Sequence, residues 1–452
     1  MSKSANEPVI QRPPVTADVI PVPVAAEVTR RTKIAGFSIP TDTLRAYTMV
    51  LALVVIWIFF HYATSPNAPG FVWPWEGVSN FFLMLKSHIL YFFSFDWIKT
   101  GIFLEARNFS NLMRQTSVTG VLAVGMLMII LTGQIDLSVG SVVGLAGGIA
   151  AICQGWLGWG LAPALTAGIG TALLIGLAQG ALNAYLNIPA FIVTLGGLLA
   201  WRGVILGLSK GETIPLRLQA FKSIGQDYVG PMIGWILAAL AVAAIIWTTI
   251  SRNRARRRHG LTAPGLLPTL ARIIVPALVV VWFIYMMNSY EIAPGRFAGI
   301  PIPVIILLAV TLGGAFLTQN TTFGRYLYAI GGNPDAARLS GIQIRKHILA
   351  VFCLMGLLAG VASIIYTARV GSASPDAGQL LELDAIAACV IGGTSLMGGR
   401  GTVFGAIIGA LIMSSLDNGM SLKNVAPYTQ NIIKGAILVA AVGLDMAGRK
   451  RG

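Results

Sequence analysis

Carboxylates embedded in apolar sequence are the first candidates for chemistry in this chain. Asp136 stands in Gln134-Ile-Asp-Leu-Ser-Val-Gly140 between two apolar runs, and Glu382 and Asp384 open another. An ionised carboxylate at a bilayer centre costs roughly 3 kcal/mol or more. Each must therefore face water, a partner or an interface. Asp136 and Ser138 can cap the half-helix that follows them, or they can line and gate a pathway. Thr194, Asp384 and Asn418 are the other polar residues placed where a pathway could run. Arg202, beside Trp201, is positioned to snorkel or to pair. No catalytic set accompanies them: there is no Ser/His/Asp group, no HExxH, and no GxxxxGK[ST] phosphate loop. Cys153, Cys353 and Cys389 each sit alone in an apolar stretch, which predicts packing. His61, His88, His259 and His347 lack metal-ligand spacing, and His61, His259 and His347 are expected to be solvated. Neither a catalytic centre nor a metal site is predicted, so work done by this chain must draw on a partner or an ion gradient.

A second polar feature is Gly-Gly-Asn-Pro-Asp-Ala-Ala-Arg-Leu-Ser-Gly over residues 331–341. Asn333 can cap a helix, Pro334 suits its first position, and Asp335 complements the N-terminal dipole. Ala336 and Ala337 form a small-residue face, and Gly341 can end the helix in a left-handed conformation. The pattern predicts a helix of two turns, too short to be stable without a surface to rest on. Arg325, Arg338, Arg345 and Lys346 flank it.

The elements that position these residues are membrane helices. Hydrophobic residues make up 55% of the 452 and charged residues 11%, against roughly 25% charged in a soluble domain. Such a chain cannot cover a water-facing surface, and an all-α transmembrane bundle satisfies its backbone. The net charge of +15 lies in short loops between apolar runs rather than on one face, which fits the positive-inside rule and speaks against nucleic-acid binding.

Residues 1–40 are polar and interrupted by proline, predicting a disordered cytoplasmic tail with no signal peptide. The membrane domain then covers 41–447 and a short basic tail covers 448–452. Spans are predicted at 45–62, 117–133, 139–154, 161–185, 188–207, 231–250, 272–289, 301–318, 346–367, 383–396, 402–417 and 429–446, a bundle of about 10–12 with Gly-rich broken helices. The aromatic stretch 78–99 is expected to lie in the interface, with a short span as the alternative. Alternation from a cytoplasmic start puts the basic loop 251–259, the loop 324–346, Arg400 and both termini in the cytoplasm. It puts Asp136 and the Glu382/Asp384 pair at opposite ends of the bundle.

The 331–341 loop resembles the Glu-Ala-Ala-x-x-x-Gly loop by which importer permeases engage their ATPases, with Asp335 replacing Glu and the downstream Ile-x-Leu-Pro missing. Residues 132–148, 187–203, 321–342 and 381–421 resemble the monosaccharide permeases of the ribose, arabinose and xylose type. The resemblance runs from about Glu105 to Asp445. Residues 151–159, the insertion at 251–259 and residues 418–445 are most similar to the xylose-type members. The extended N-terminal tail and the aromatic insertion at 63–100 are departures.

The resemblance implies a permease of an ATP-binding-cassette sugar importer in the bacterial inner membrane, working as a homodimer. A fused double ATPase would bind ATP and magnesium, and a periplasmic sugar-binding protein would deliver the substrate. Gly324, Arg325, Asn333, Asp335, Ala336, Ala337 and Gly341 would form the ATPase-coupling surface. The alternative is a secondary transporter or channel that works without ATP.

Overall fold

The computed structural model describes residues 31–34, 37–69, 78–262 and 264–450. Of the tail expected over 1–40, residues 1–30, 35 and 36 lie outside the described residues. Two strands, β1 (Arg31–Ile34) and β2 (Phe37–Pro40), pair antiparallel. The chain divides into two units, Met1–Tyr47 and Thr48–Gly452.

The N-terminal helices are α1 (Thr41–Ala63), α2 (Val78–Ser94), α3 (Asp96–Thr100), α4 (Ala106–Leu131) and α5 (Val139–Gly155). Then come α6 (Leu161–Leu186), α7 (Ala190–Ser209), β3 (Ile214–Pro215), α8 (Gln219–Gln226), β4 (Tyr228–Val229) and α9 (Pro231–Arg258). After these lie α10 (Leu266–Asn288), β5 (Glu291–Ala293), β6 (Arg296–Phe297), β7 (Ile300–Pro301) and α11 (Ile302–Asn320). The last third holds α12 (Thr322–Gly332), α13 (Pro334–Leu339), α14 (Ile344–Val370), β8 (Ser372–Ala373), α15 (Leu381–Ile391), α16 (Val403–Leu422) and α17 (Pro427–Lys450). The strands only staple loops: β3 pairs with β8, β4 with β7 and β5 with β6.

Among the described residues, 8 helices are long and apolar enough to cross a membrane, and the stretches Tyr47–Ala63 and Val139–Gly155 are shorter apolar helices. This is the helical membrane bundle that composition demands, with three changes of detail. The expected loop 251–259 is helical as far as Arg258, because arginine is a good helix former and nothing before Gly260 interrupts the turn. The span expected from 117 begins at Ala106. The span expected at 383–396 is not a crossing: α15 has 11 residues, about 16 Å of helix against a hydrocarbon core of about 30 Å.

At the centre stands α4, packed against α11, α14, α15 and α16. Its buried side chains surround it on all faces, as expected of a helix enclosed by other helices. The most extensive packing between two helices is that of α6 against α14. A Cβ on Gly176 would fall on Phe352 O, and one on Gly356 would fall on Ala172 O, so the backbones meet through small residues. The three cysteines are free and packed in the bundle, with Cys389 Sγ donating to Ala123 O. His61 is not solvated as expected: it is buried, with Nε2 3.1 Å from Ile98 O, while Leu104 N donates to its Nδ1 at 3.2 Å. The aromatic segment folds back over the end of α1, which covers this ring.

Below, the α13 end is the end of the bundle carrying α12 and α13, and the α8 end is the opposite one.

Candidate functional site

Two helices are broken where the polar candidates lie. The first break, residues 132–138, follows α4 at the α13 end. Gly133 turns the chain at φ +76°, and Asp136 Oδ1 accepts the Ser138 amide at 2.8 Å and its hydroxyl at 2.7 Å. The carboxylate thus closes a local turn two residues ahead of itself. Ser138 stands at the start of α5, but its side chain bonds none of the first-turn amides; its Oγ lies 3.0 Å from Gln179 Oε1 on α6. Thr194, fully buried on α7, donates to Ala190 O at 2.8 Å and stands 3.4 Å from Ile135 O in the break.

The second break, residues 371–380, follows α14. It leaves the α8 end as β8 and runs back along α5, turning at Gly378 (φ +78°) and Leu380 (φ +65°). Arg202 of α7 holds it, donating from Nη1 to Pro375 O at 2.6 Å and Ala377 O at 2.8 Å. Because this segment re-enters the bundle, α15 starts deep inside it. A Cβ on Gly140, in the first turn of α5, would fall on Glu382 Oε2 and Gly378 O. This corrects the expectation that Asp136 and Glu382 lie at opposite ends: both sit around the N-terminus of α5, whose dipole favours negative charge.

Two residues along α15 from Glu382 lies a half-buried ion cluster. Lys434 Nζ of α17 lies 3.1 Å from Asp384 Oδ1 and 2.9 Å from Asp417 Oδ2 of α16. Asn418, next in sequence, exchanges amide hydrogen bonds with Asn108 of α4 at 2.8 and 3.1 Å. The candidate pathway residues therefore fall into two groups. Asp136, Ser138 and Thr194 lie together at the first break, while Asp384 and Asn418 take part in contacts that join α15, α16 and α17 to the core.

The remaining candidates build the α13 end. Thr321 caps α12 by accepting from Gly324 N at 3.2 Å, and Gly324 packs against Thr318 O. Asn333 Oδ1 caps α13 by accepting from Ala336 N at 3.0 Å, with Pro334 first in the helix and Asp335 in its first turn. Ala337 is buried. Gly341 (φ +83°) donates to Arg338 O while Ile342 N donates to Ala337 O, which ends the helix. Leu339 projects outward and is 90% exposed. Arg325, Arg338, Arg345 and Lys346 are also exposed. Arg338, Arg345 and Lys346 line a groove of about 860 Å³ with Asn183, Asn187 and Gln343.

Residues 108–442 match the family described as branched-chain amino acid transport system / permease component. The xylose transport system permease protein XylH of Escherichia coli (strain K12) is 46% identical over 371 residues, covering 82% of this chain and 92% of that protein. The protein of the same name in Haemophilus influenzae (strain ATCC 51907 / DSM 11121 / KW20 / Rd) is 42% identical over 416 residues, 92% of this chain and all of that one. The chain belongs to this permease family. The ribose import permease protein RbsC of Escherichia coli (strain K12) is 35% identical to the permease over 343 residues, 76% of the permease and 87% of RbsC. No solved structure matches it. The permease is a multi-pass membrane protein and a transport component rather than an enzyme.

Sequence reading passed over several polar residues that the permease brings to its breaks. Lys434 was legible as a lone cation inside an apolar run, and such a residue is by default a functional candidate. Asp417, Gln179 and Asn108 carried no local signal; only the packing of distant helices reveals their partners.

Proposed function

We propose that this permease moves a monosaccharide, D-xylose foremost, across the bacterial inner membrane, with energy from a separate ATP-hydrolysing partner seated on α13. The observation that carries this reading is α13 itself: a six-residue helix, capped at both ends, with an almost fully exposed leucine among exposed cations. An isolated helix of this length is unstable unless a partner surface covers it. The choice of sugar rests on the xylose permeases, which are 46% and 42% identical where the ribose permease is 35%.

The α13 end then faces the cytoplasm. Arg252, Arg254, Arg256, Arg257 and Arg258 close α9 there, beside Arg325, Arg338, Arg345, Lys346 and Arg400, in keeping with the positive-inside rule. Both termini share that side. A second copy of the chain, a fused double ATPase holding ATP and magnesium, and a periplasmic sugar-binding protein complete the importer. Transport is alternation between two packings of the bundle.

The test is uptake of labelled D-xylose by cells carrying the permease with its ATPase and binding protein. Uptake should require the ATPase. Gly341→Asp and Ala337→Arg should abolish it while leaving assembled permease in the membrane, and normal uptake by both variants would overturn the coupling assignment. The Asp384–Asp417–Lys434 cluster is the feature an ion-coupled carrier would share. Uptake that survives loss of the ATPase and collapses with the ion gradient would select that reading instead.

A further inference from the structure

We propose that the contact between α6 and α7 at Gly197 is a closed hydroxyl-binding site for the transported sugar. Its polar atoms are the Gln179 amide and the Trp201 indole N–H. The assignment rests on the sugar-permease reading above and deepens it.

Two orphaned atoms carry it. Gln179 is 3% exposed, yet its Nε2 has no hydrogen-bond partner among the described residues; neither has the buried Nε1 of Trp201. Each such group costs roughly 1–3 kcal/mol, and native structures keep few without a reason. The two nitrogens converge on one point. A Cβ on Gly197 would fall on Gln179 Nε2 and lie 2.9 Å from Trp201 Nε1 and 3.3 Å from Ser138 Cβ. Exchanging the two ends of the Gln179 amide gives Ser138 a donor and turns an oxygen toward Gly197. With either end, one amide atom faces α7. Behind it, Ser138 leads to the Asp136 carboxylate.

The chemistry of this group suits a polyol. A sugar hydroxyl donates once and accepts once, the amide offers both functions and the indole N–H donates. The indole also offers an apolar face to the ring carbons. No sugar fits in the closed arrangement. Gln179 and Trp201 fill the space at Gly197, and a cavity on the other side of Gln179, toward Gly356 of α14, measures about 10 Å³, room for one water at most. Gly197 lets α7 close on the site, and α7 is bound to the bundle along one narrow stripe through Ala190, Thr194, Gly197 and Ile205. Arg202 ties α7 to the second break just beyond Trp201, so α7 can open at Gly197 by pivoting on that tie.

The experiment compares Gln179→Leu and Trp201→Phe with the wild-type permease, each assembled with its ATPase and binding protein. Uptake of labelled D-xylose is measured at saturating binding protein, alongside thermal midpoint and ATP hydrolysis. Uptake should fall about tenfold for Gln179→Leu and about fivefold for Trp201→Phe, the loss of one hydrogen bond to the moving sugar. ATP hydrolysis should hold for both variants, and the thermal midpoint should hold or rise for Trp201→Phe, which removes an N–H that has no partner; Gln179→Leu also gives up the contact with Ser138. Wild-type uptake by both variants would overturn the site, leaving those atoms to serve at most a buried water. A fall in uptake only in proportion to lost assembled protein would overturn it too, and Trp201→Phe decides if Gln179→Leu does not assemble. Failure of the sugar reading shows separately, as a wild-type complex that takes up no xylose.

Discussion

The two breaks at the heart of the bundle differ in how much distant charge holds them. At 132–138 the chain supplies its own fastening: Asp136 closes a turn on Ser138, and the neighbouring helices add only a weak threonine contact and an incompletely paired glutamine. At 371–380 local turns at Ser374 and Asp376 are joined by charges from far away in sequence, with Arg202 gripping two carbonyls and Lys434 gripping the carboxylate that follows. A locally closed turn survives separation from its neighbours, whereas a segment held by distant charges depends on them. The first break is suited to face a surface that opens, and the second to act as the fixed side. Among the described residues, α7 contributes hydrogen-bonding side chains to both, through Thr194 and Arg202.

This contrast can be broken by removing the charges. Lys434→Met leaves Asp384 and Asp417 without their cation. Breaking a buried pair this way costs roughly 3–5 kcal/mol, so the variant should lose most of its assembled protein in a membrane-extraction assay. Adding Asp384→Asn and Asp417→Asn should recover much of it.

Arg202→Leu comes next. Two charge-assisted hydrogen bonds vanish and the carbonyls of Pro375 and Ala377 are left bare, a loss of about 2–4 kcal/mol. The thermal midpoint should drop clearly, and Arg202→Lys should recover part of the drop.

The smallest effect belongs to the first break. In Asp136→Asn the amide oxygen still accepts the Ser138 N–H, so stability should change by less than about 1 kcal/mol and xylose uptake should persist. A well-assembled Asp136→Asn complex that hydrolyses ATP and does not transport would erase the contrast, since the charge itself would then be needed.

Much of this was legible in advance, for reasons that differ by region. Membrane helices declare themselves by apolar length, and α13 by Asn333, Pro334 and Gly341 at the positions where a short helix must begin and end. The second break was hidden because hydropathy does not separate a half-helix from a crossing, so 383–396 reads as a span. The meeting of Glu382 with Gly140 was hidden because it joins residues far apart in sequence through a backbone segment whose course depends on Arg202. The ion cluster was half visible: Lys434 advertises a cost in lipid, but nothing near it names Asp384 and Asp417 as what offsets that cost.

The fold-back of the aromatic segment over α1 has one more consequence. Phe103 N donates to Thr64 Oγ1 at 3.0 Å and Leu104 N to His61 Nδ1 at 3.2 Å, so the chain returns to the spot from which it departed. Everything between Thr64 and Phe103 is an excursion with zero net displacement. It adds no parity to the threading of the chain, and α4 enters the bundle in the same direction whether the detour is long or short. Residues in that detour can be added or deleted between fixed anchor points while every later helix keeps its heading.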